Sequence, residues 1–153
     1  MTDSARTPPW NAIRQALAID TSSTAWERTV DITTIGAKTG KARRIEIWFH
    51  HIDDRWYLSS TPARRDWYRN LQVNPQFTFH LKHGVHADLR ATALPVTDPE
   101  RRRRFFQYIV DDVNQPHNPA LVHQPQRVQD WIDGSPLLEI VFNDLPEPEN
   151  TGK

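Results

Sequence analysis

Thr29-Val30-Asp31-Ile32-Thr33-Thr34-Ile35-Gly36-Ala37-Lys38-Thr39-Gly40-Lys41-Ala42-Arg43-Arg44-Ile45-Glu46-Ile47-Trp48-Phe49 is the stretch on which the fold turns. Val30 and Ile32 alternate with Thr29 and Asp31; Ile45, Ile47 and Phe49 alternate with Arg44, Glu46 and Trp48. Period-two patterning on both sides of a Gly-containing turn predicts a β-hairpin. Lys38, Lys41, Arg43 and Arg44 crowd the turn, and no acid lies between Asp31 and Glu46. Glycines let backbone N–H groups converge and the cations supply charge, a combination suited to a phosphate. Alone, the segment fits a solvated turn equally well.

The same alternation recurs along the chain. Asp53-Asp54 reads as a tight turn into a third strand, Arg55 to Ser60. Phe77, Phe79 and Leu81 mark a fourth strand; Ala87, Leu89, Ala91 and Ala93 a fifth; Leu138, Ile140 and Phe142 a last one. Strand one is expected over about Glu27 to Ile35 and strand two over about Arg43 to Ile52. Helices fall between them. The first spans about residues 8–19 with Trp10, Ile13, Ala16 and Leu17 inward. Another, from Arg64 to Val73, carries Trp67, Leu71 and Tyr68 and is stopped by Asn74-Pro75. A third starts at Thr97-Asp98-Pro99 and buries Phe105, Phe106, Ile109 and Val110. A fourth runs through Val128, Trp131 and Ile132 to Gly134. The fold expected is mainly β with helical decorations (α+β): a small barrel of about six antiparallel strands in one domain over 1–144, with 145–153 a disordered tail. There is no internal repeat.

Composition bounds the function. The formal net charge is zero, so any anion site is local and a general polyanion binder is excluded. Without Cys there are no disulfides, thiolate nucleophiles or Cys-ligated metals. Met1 to Arg6 lacks an apolar segment, and no apolar run approaches the ~20 residues of a membrane span, so a cytoplasmic protein is expected. His80, His83 and His86 invite a metal. If His83-Gly84 is a two-residue turn, His80 faces Ala87 and Leu81 faces His86, and His80 and His86 diverge. His50 and His51 diverge as strand neighbours, and His117 and His123 sit in a loop. No metal site is expected. Arg101-Arg102-Arg103-Arg104 fans around a helix as solvated surface rather than forming a nucleic-acid face.

Three motifs then join. Gly36-x-Lys38-Thr39-Gly40-x-x-Arg43, Trp67-Tyr68-x-Asn70-Leu71-x-x-Asn74-Pro75 and the Phe77-x-Phe79 strand, in this order, resemble the deazaflavin-dependent nitroreductase family. These are split-β-barrel oxidoreductases related to the pyridoxamine-phosphate oxidase-like flavoproteins, and the resemblance runs from Arg28 to Phe142. It implies that Lys38, Thr39, Arg43 and Arg44 bind the phosphate of coenzyme F-420. It further implies that Ile45, Ile47 and Trp48 line the ring or ribityl channel, and that Ser59, Ser60, Thr61, Asp66, Trp67 and Tyr68 border the ring. Ala37 stands where the family has Arg, with Lys41 or Arg44 to compensate, and the loop Thr61 to Arg65 is shorter than in the family. Val122, Pro125 and Val128 occupy the region where some members place tyrosines for a nitroaromatic. The resemblance implies hydride transfer from reduced F-420 to a small conjugated, quinone-like or nitro acceptor, in a homodimer. FMN is the alternative cofactor, and a non-catalytic flavin or haem carrier the alternative function. Tyr68 is a weak candidate proton donor, better suited to packing. Trp48 lies on the strand face opposite Ile45 and Ile47 and needs cover from a helix, a cofactor or a partner.

Overall fold

A computed structural model describes residues 9–116, 119 and 126–143. The expectations for the 145–153 tail, and those resting on His117, Val122, His123 and Pro125, lie outside them. The chain runs α1 (Trp10–Leu17), α2 (Ala25–Arg28), β1 (Thr29–Ile35), β2 (Ala42–Ile52), β3 (Arg55–Ser59), α3 (Asp66–Val73), β4 (Gln76–Leu81), β5 (Ala87–Pro95), α4 (Pro99–Val113), α5 (Val128–Gly134) and β6 (Leu137–Phe142). The strands close an antiparallel barrel in the order β1-β2-β3-β6-β5-β4. Alternation puts Val30, Ile32, Ile47, Phe49, Leu58, Phe79, Leu89, Ala91, Leu138 and Ile140 inside it. Phe79 meets Phe49 and Phe142 edge-on at 5.2 and 5.0 Å. Ile13 and Leu17 of α1 join this core where β2 turns into β3, and Trp67 and Leu71 of α3 join it at the opposite end.

Outside the barrel, α4 and α5 bury Phe105, Phe106, Ile109, Val110 and Trp131 against Tyr57 and Leu137. The Asp98 carboxylate accepts from the Arg101 N–H at 2.9 Å and starts α4, with Pro99 next, as its sequence predicts. The four-arginine run is not all solvated surface. Arg102 donates to the Ile132 and Ser135 carbonyls at 3.0 and 2.9 Å and lies over the Phe106 ring. Arg101 binds Glu139 at 2.6 Å and the Tyr57 hydroxyl at 3.1 Å. Arg103 and Arg104 remain exposed.

Other differences from the sequence reading have local causes. Glu27 and Arg28 belong to α2, because Thr24 and Glu27 cap each other: the Thr24 hydroxyl accepts from the Glu27 N–H and the Glu27 carboxylate from the Thr24 N–H. α3 starts at Asp66, two residues later than expected, and β3 stops at Ser59. The β4–β5 connection is Lys82 to His86, not His83-Gly84 alone, so the register is Leu81 opposite Ala87 and His80 opposite Asp88. Gly84 takes a φ of 74° inside this longer loop. His80 thereby bridges strands, with Nδ1 2.6 Å from the Asp88 carboxylate and Nε2 2.7 Å from the Thr33 hydroxyl. Gly134 ends α5 as the sequence predicts, and a Cβ there would come within 3.0 Å of the Pro62 Cβ. Trp48 finds its cover within the chain: the Arg28 guanidinium lies 5.7 Å from its ring centre.

Candidate cofactor site

The β1–β2 connection is built from its glycines. The Gly36 N–H donates to the Lys41 carbonyl at 2.8 Å and the Gly40 N–H to the Gly36 carbonyl at 3.0 Å. A Cβ on Gly36 would sit 2.4 Å from the Thr39 hydroxyl oxygen, which itself accepts from the Lys41 N–H at 3.2 Å. Gly40 takes a φ of 70°, the left-handed region that glycine enters without strain. The turn is also held from α3. The Asn70 side-chain oxygen accepts from the Ala37 N–H at 2.8 Å, and its nitrogen donates to the Thr34 hydroxyl at 3.1 Å. The Asn74 side chain adds a bond to the Ile35 carbonyl at 3.4 Å.

Between the turn and α3 lies a cavity of about 240 Å³ lined by Gly36, Ala37, Lys38, Thr39, Arg43, Asp66, Arg69 and Asn70. Lys38, Thr39, Arg43 and Asp66 of the expected site residues meet here. The one acid, Asp66, lies 3.9 Å from Arg43; both side chains are well exposed, so this pair is weak. Arg44 does not reach the cavity. As strand neighbours, Arg43 and Arg44 project to opposite faces, and Arg44 donates to Asp31 at 2.9 Å on the outside. Asp31 also binds Lys82 at 2.7 Å. Partial burial alone would raise the Asp31 pKa, but the Lys82 and Arg44 hydrogen bonds outweigh it and hold the carboxyl below its usual value.

The remaining expected residues divide by face. Ile45 and Ile47 pack on the barrel core, whereas Trp48 is outside under Arg28. The buried Ser59 hydroxyl donates to the Pro136 carbonyl at 2.6 Å, and the carbonyl and hydroxyl of Thr61 accept from Arg65 at 3.0 and 2.7 Å. The Ser60 hydroxyl is buried with no partner among the described residues. Trp67 is buried, and the half-buried Tyr68 meets it edge-on at 6.0 Å.

One edge of β2 stands open beside these residues. β1 pairs with β2 from Ala42 to Trp48, but β3 pairs with it only from Phe49 to Ile52. Residues 42–48 therefore lack a second strand neighbour among the described residues, and the Arg43–Asp66 contact shows that α3 begins next to that edge. A larger cleft of about 850 Å³, lined by Arg55, Tyr57, Arg101, Arg104 and Tyr108, lies at the far end of β2. Arg55 and Arg101 there already share Glu139, at 3.7 and 2.6 Å. The smaller cavity differs from it in joining a glycine turn to the cations Lys38, Arg43 and Arg69.

The family model of F420H2-dependent quinone reductases matches residues 13–119. The chain belongs to this family. It is a coenzyme F-420-dependent oxidoreductase, with the cofactor and enzyme class that its motifs imply. Solved structures share the fold. The conserved hypothetical protein Rv2991 from Mycobacterium tuberculosis is 20% identical with a TM-score of 0.58, over 94% of this chain and 81% of that one. A candidate pyridoxamine 5′-phosphate oxidase from Listeria innocua is 13% identical with a TM-score of 0.58, over 89% and 94%. The F420-H2 dependent reductase FDR-A is 18% identical with a TM-score of 0.51, over 74% and 94%. No curated protein matches the chain.

Two cavity-lining residues were not singled out as ligands by the sequence. Arg69 and Asn70 reach the cavity because α3 presents Asp66, Arg69 and Asn70 on one face. Their i, i+3, i+4 spacing was visible, but the side of the helix facing the turn was not.

Proposed function

We propose that the cavity between the β1–β2 turn and α3 holds the phosphate of coenzyme F-420, and that the acceptor is a small quinone-like molecule. The observation that carries the reading is the convergence of Lys38, Arg43 and Arg69 on one cavity beside a turn in which a Cβ at Gly36 would displace the Thr39 hydroxyl. The donor set fits the group: cations for the phosphate, and the unpartnered Ser60 hydroxyl for a polar edge. When bound, the reduced cofactor supplies a hydride. The protein's part is to bind, orient and exclude water. Lys38 and Arg43 hold the charge, with Thr39 beside them. Ile45 and Ile47 give the apolar side, and the segments Ser59 to Thr61 and Asp66 to Tyr68 flank the ring along the open edge of β2. Arg44 and Trp48, on the outer face, are left out of this site. Tyr68 serves packing. A second subunit covers the open β2 edge, and the protein works in the cytoplasm; among the described residues no helix is long and apolar enough to cross a membrane.

Fluorescence titration with F-420 tests the phosphate assignment. Each charge-assisted contact contributes about 1.5–3 kcal/mol, so Lys38→Ala and Arg43→Ala should each weaken binding about tenfold or more. Unchanged affinity in both variants sinks the reading.

A further inference from the structure

Asn70 is only 8% exposed, yet both ends of its carboxamide are engaged, by the Ala37 N–H at 2.8 Å and the Thr34 hydroxyl at 3.1 Å. A buried amide satisfied at both ends has one orientation. It ties α3 to the residue between Gly36 and Lys38, at the base of the turn. Arg69, its neighbour, is exposed, lines the same cavity and has no ion-pair partner among the described residues. The other cations of the region are placed elsewhere: Arg44 is held by Asp31 on the outer face, and Lys41 does not line the cavity.

We infer that α3 supplies the second half of the anion site: Arg69 binds the cofactor phosphate directly and Asn70 is the positioning residue for the turn that carries Lys38. The inference rests on the phosphate assignment of the preceding subsection. It makes α3, not a third basic residue of the hairpin, the source of the remaining positive charge, and three cations then outweigh Asp66 in the cavity.

The test titrates the full-length protein with two probes, F-420 and its phosphate-free ribityl deazaflavin core, and follows amide hydrogen exchange at Ala37. Arg69→Ala should raise the Kd for F-420 about tenfold and leave the core unchanged, with Arg69→Lys recovering part of the loss. Asn70→Ala should weaken F-420 by about tenfold, spare the core and speed Ala37 exchange, since the N–H loses its acceptor. A purely structural Asn70 would instead lower the affinity for both probes together with the melting temperature. Should Asn70→Ala fail to fold, Thr34→Val, which frees only the nitrogen end of the Asn70 amide, should weaken F-420 about two- to threefold and spare the core; unchanged F-420 affinity there overturns the role of Asn70. F-420 affinity unchanged in Arg69→Ala, or an equal loss for both probes, overturns the role of Arg69. Unchanged Ala37 exchange and F-420 affinity in Asn70→Ala overturns that of Asn70. If Lys38→Ala and Arg43→Ala weaken binding while the α3 variants do not, only the present inference fails; if none of the four does, the phosphate assignment fails with it.

Discussion

Arg28 is 2% exposed, and every part of its guanidinium is engaged. Nε donates to the Ser23 carbonyl at 2.8 Å, one terminal nitrogen meets the Asp112 carboxylate at 2.7 Å, and the other donates to the Thr21 carbonyl at 3.0 Å. One side chain thus fastens α2, the preceding loop and α4. Arg28→Ala removes a buried, hydrogen-bonded cation from this junction and should cost about 3–5 kcal/mol in urea unfolding. His50, beside it, is buried against the Phe105 ring. Burial first, and the Arg28 charge second, push its pKa down to about 3. The unfolded chain takes up this proton near the ordinary histidine value of 6.5, the native state only near 3. His50 therefore contributes its full stability above pH 6.5, and that contribution is lost as the pH falls toward 3. Between about pH 6 and 4 unfolding measurements should show stability falling by up to about 1.4 kcal/mol per pH unit, and His50→Phe should flatten that slope. The low-lying carboxyls of Asp20, held by Ser22 hydrogen bonds, and Asp31 act below that window. Neither Arg28 nor His50 was legible as special in the sequence, since the Asp112 carboxylate and the Phe105 ring that they meet come from the distant α4. The cations Lys38, Lys41, Arg43 and Arg44 did stand out, because charge clustered around a turn with two glycines is a local pattern.

At the scale of elements, alternation named every strand, because each has one face in the barrel and the other toward helices or water. Boundaries were hidden where side chains act on backbone over three residues, as in the Thr24–Glu27 cap. The five-residue β4–β5 connection was misread because His83-Gly84 imitates the shortest hairpin turn, and only the register distinguishes them. The β2–β3 turn shows the rule obeyed: Asp53 and Asp54 take φ of 54° and 62°. Two left-handed non-glycine residues carry strain, and Asp-Gly is the favoured pair for such a turn. Asp54→Gly should raise the unfolding free energy by about 0.5–1 kcal/mol without touching the proposed cofactor site at the other end of β2, and a higher urea midpoint with unchanged F-420 affinity checks it.

For the whole molecule, the barrel and its family were legible because strand patterning and motif order run the length of the chain. Trp48 needed cover from a helix, a cofactor or a partner; Arg28 of α2 supplies it, and the argument for a second subunit rests on the edge of β2 over residues 42–48, which has no strand neighbour among the described residues. An unpaired strand edge is ordinarily protected. Light scattering should give about twice the chain mass of 17.8 kDa, and a mass of 17.8 kDa that F-420 does not change means one chain closes its own groove.

The strand order also governs how this barrel is made. β6 sits between β3 and β5, yet it is synthesised after both. On the ribosome β1, β2 and β3 can pair as they emerge, and so can β4 with β5, each pair being adjacent in sequence as well as in space. Until Leu137 to Phe142 has left the exit tunnel, β3 and β5 each keep a bare edge, with the apolar residues meant for the barrel interior still exposed. A bare edge recruits strands from neighbouring chains. The nascent protein is therefore most exposed to misassembly, and most in need of a chaperone, in the interval when five strands are formed and the sixth is not.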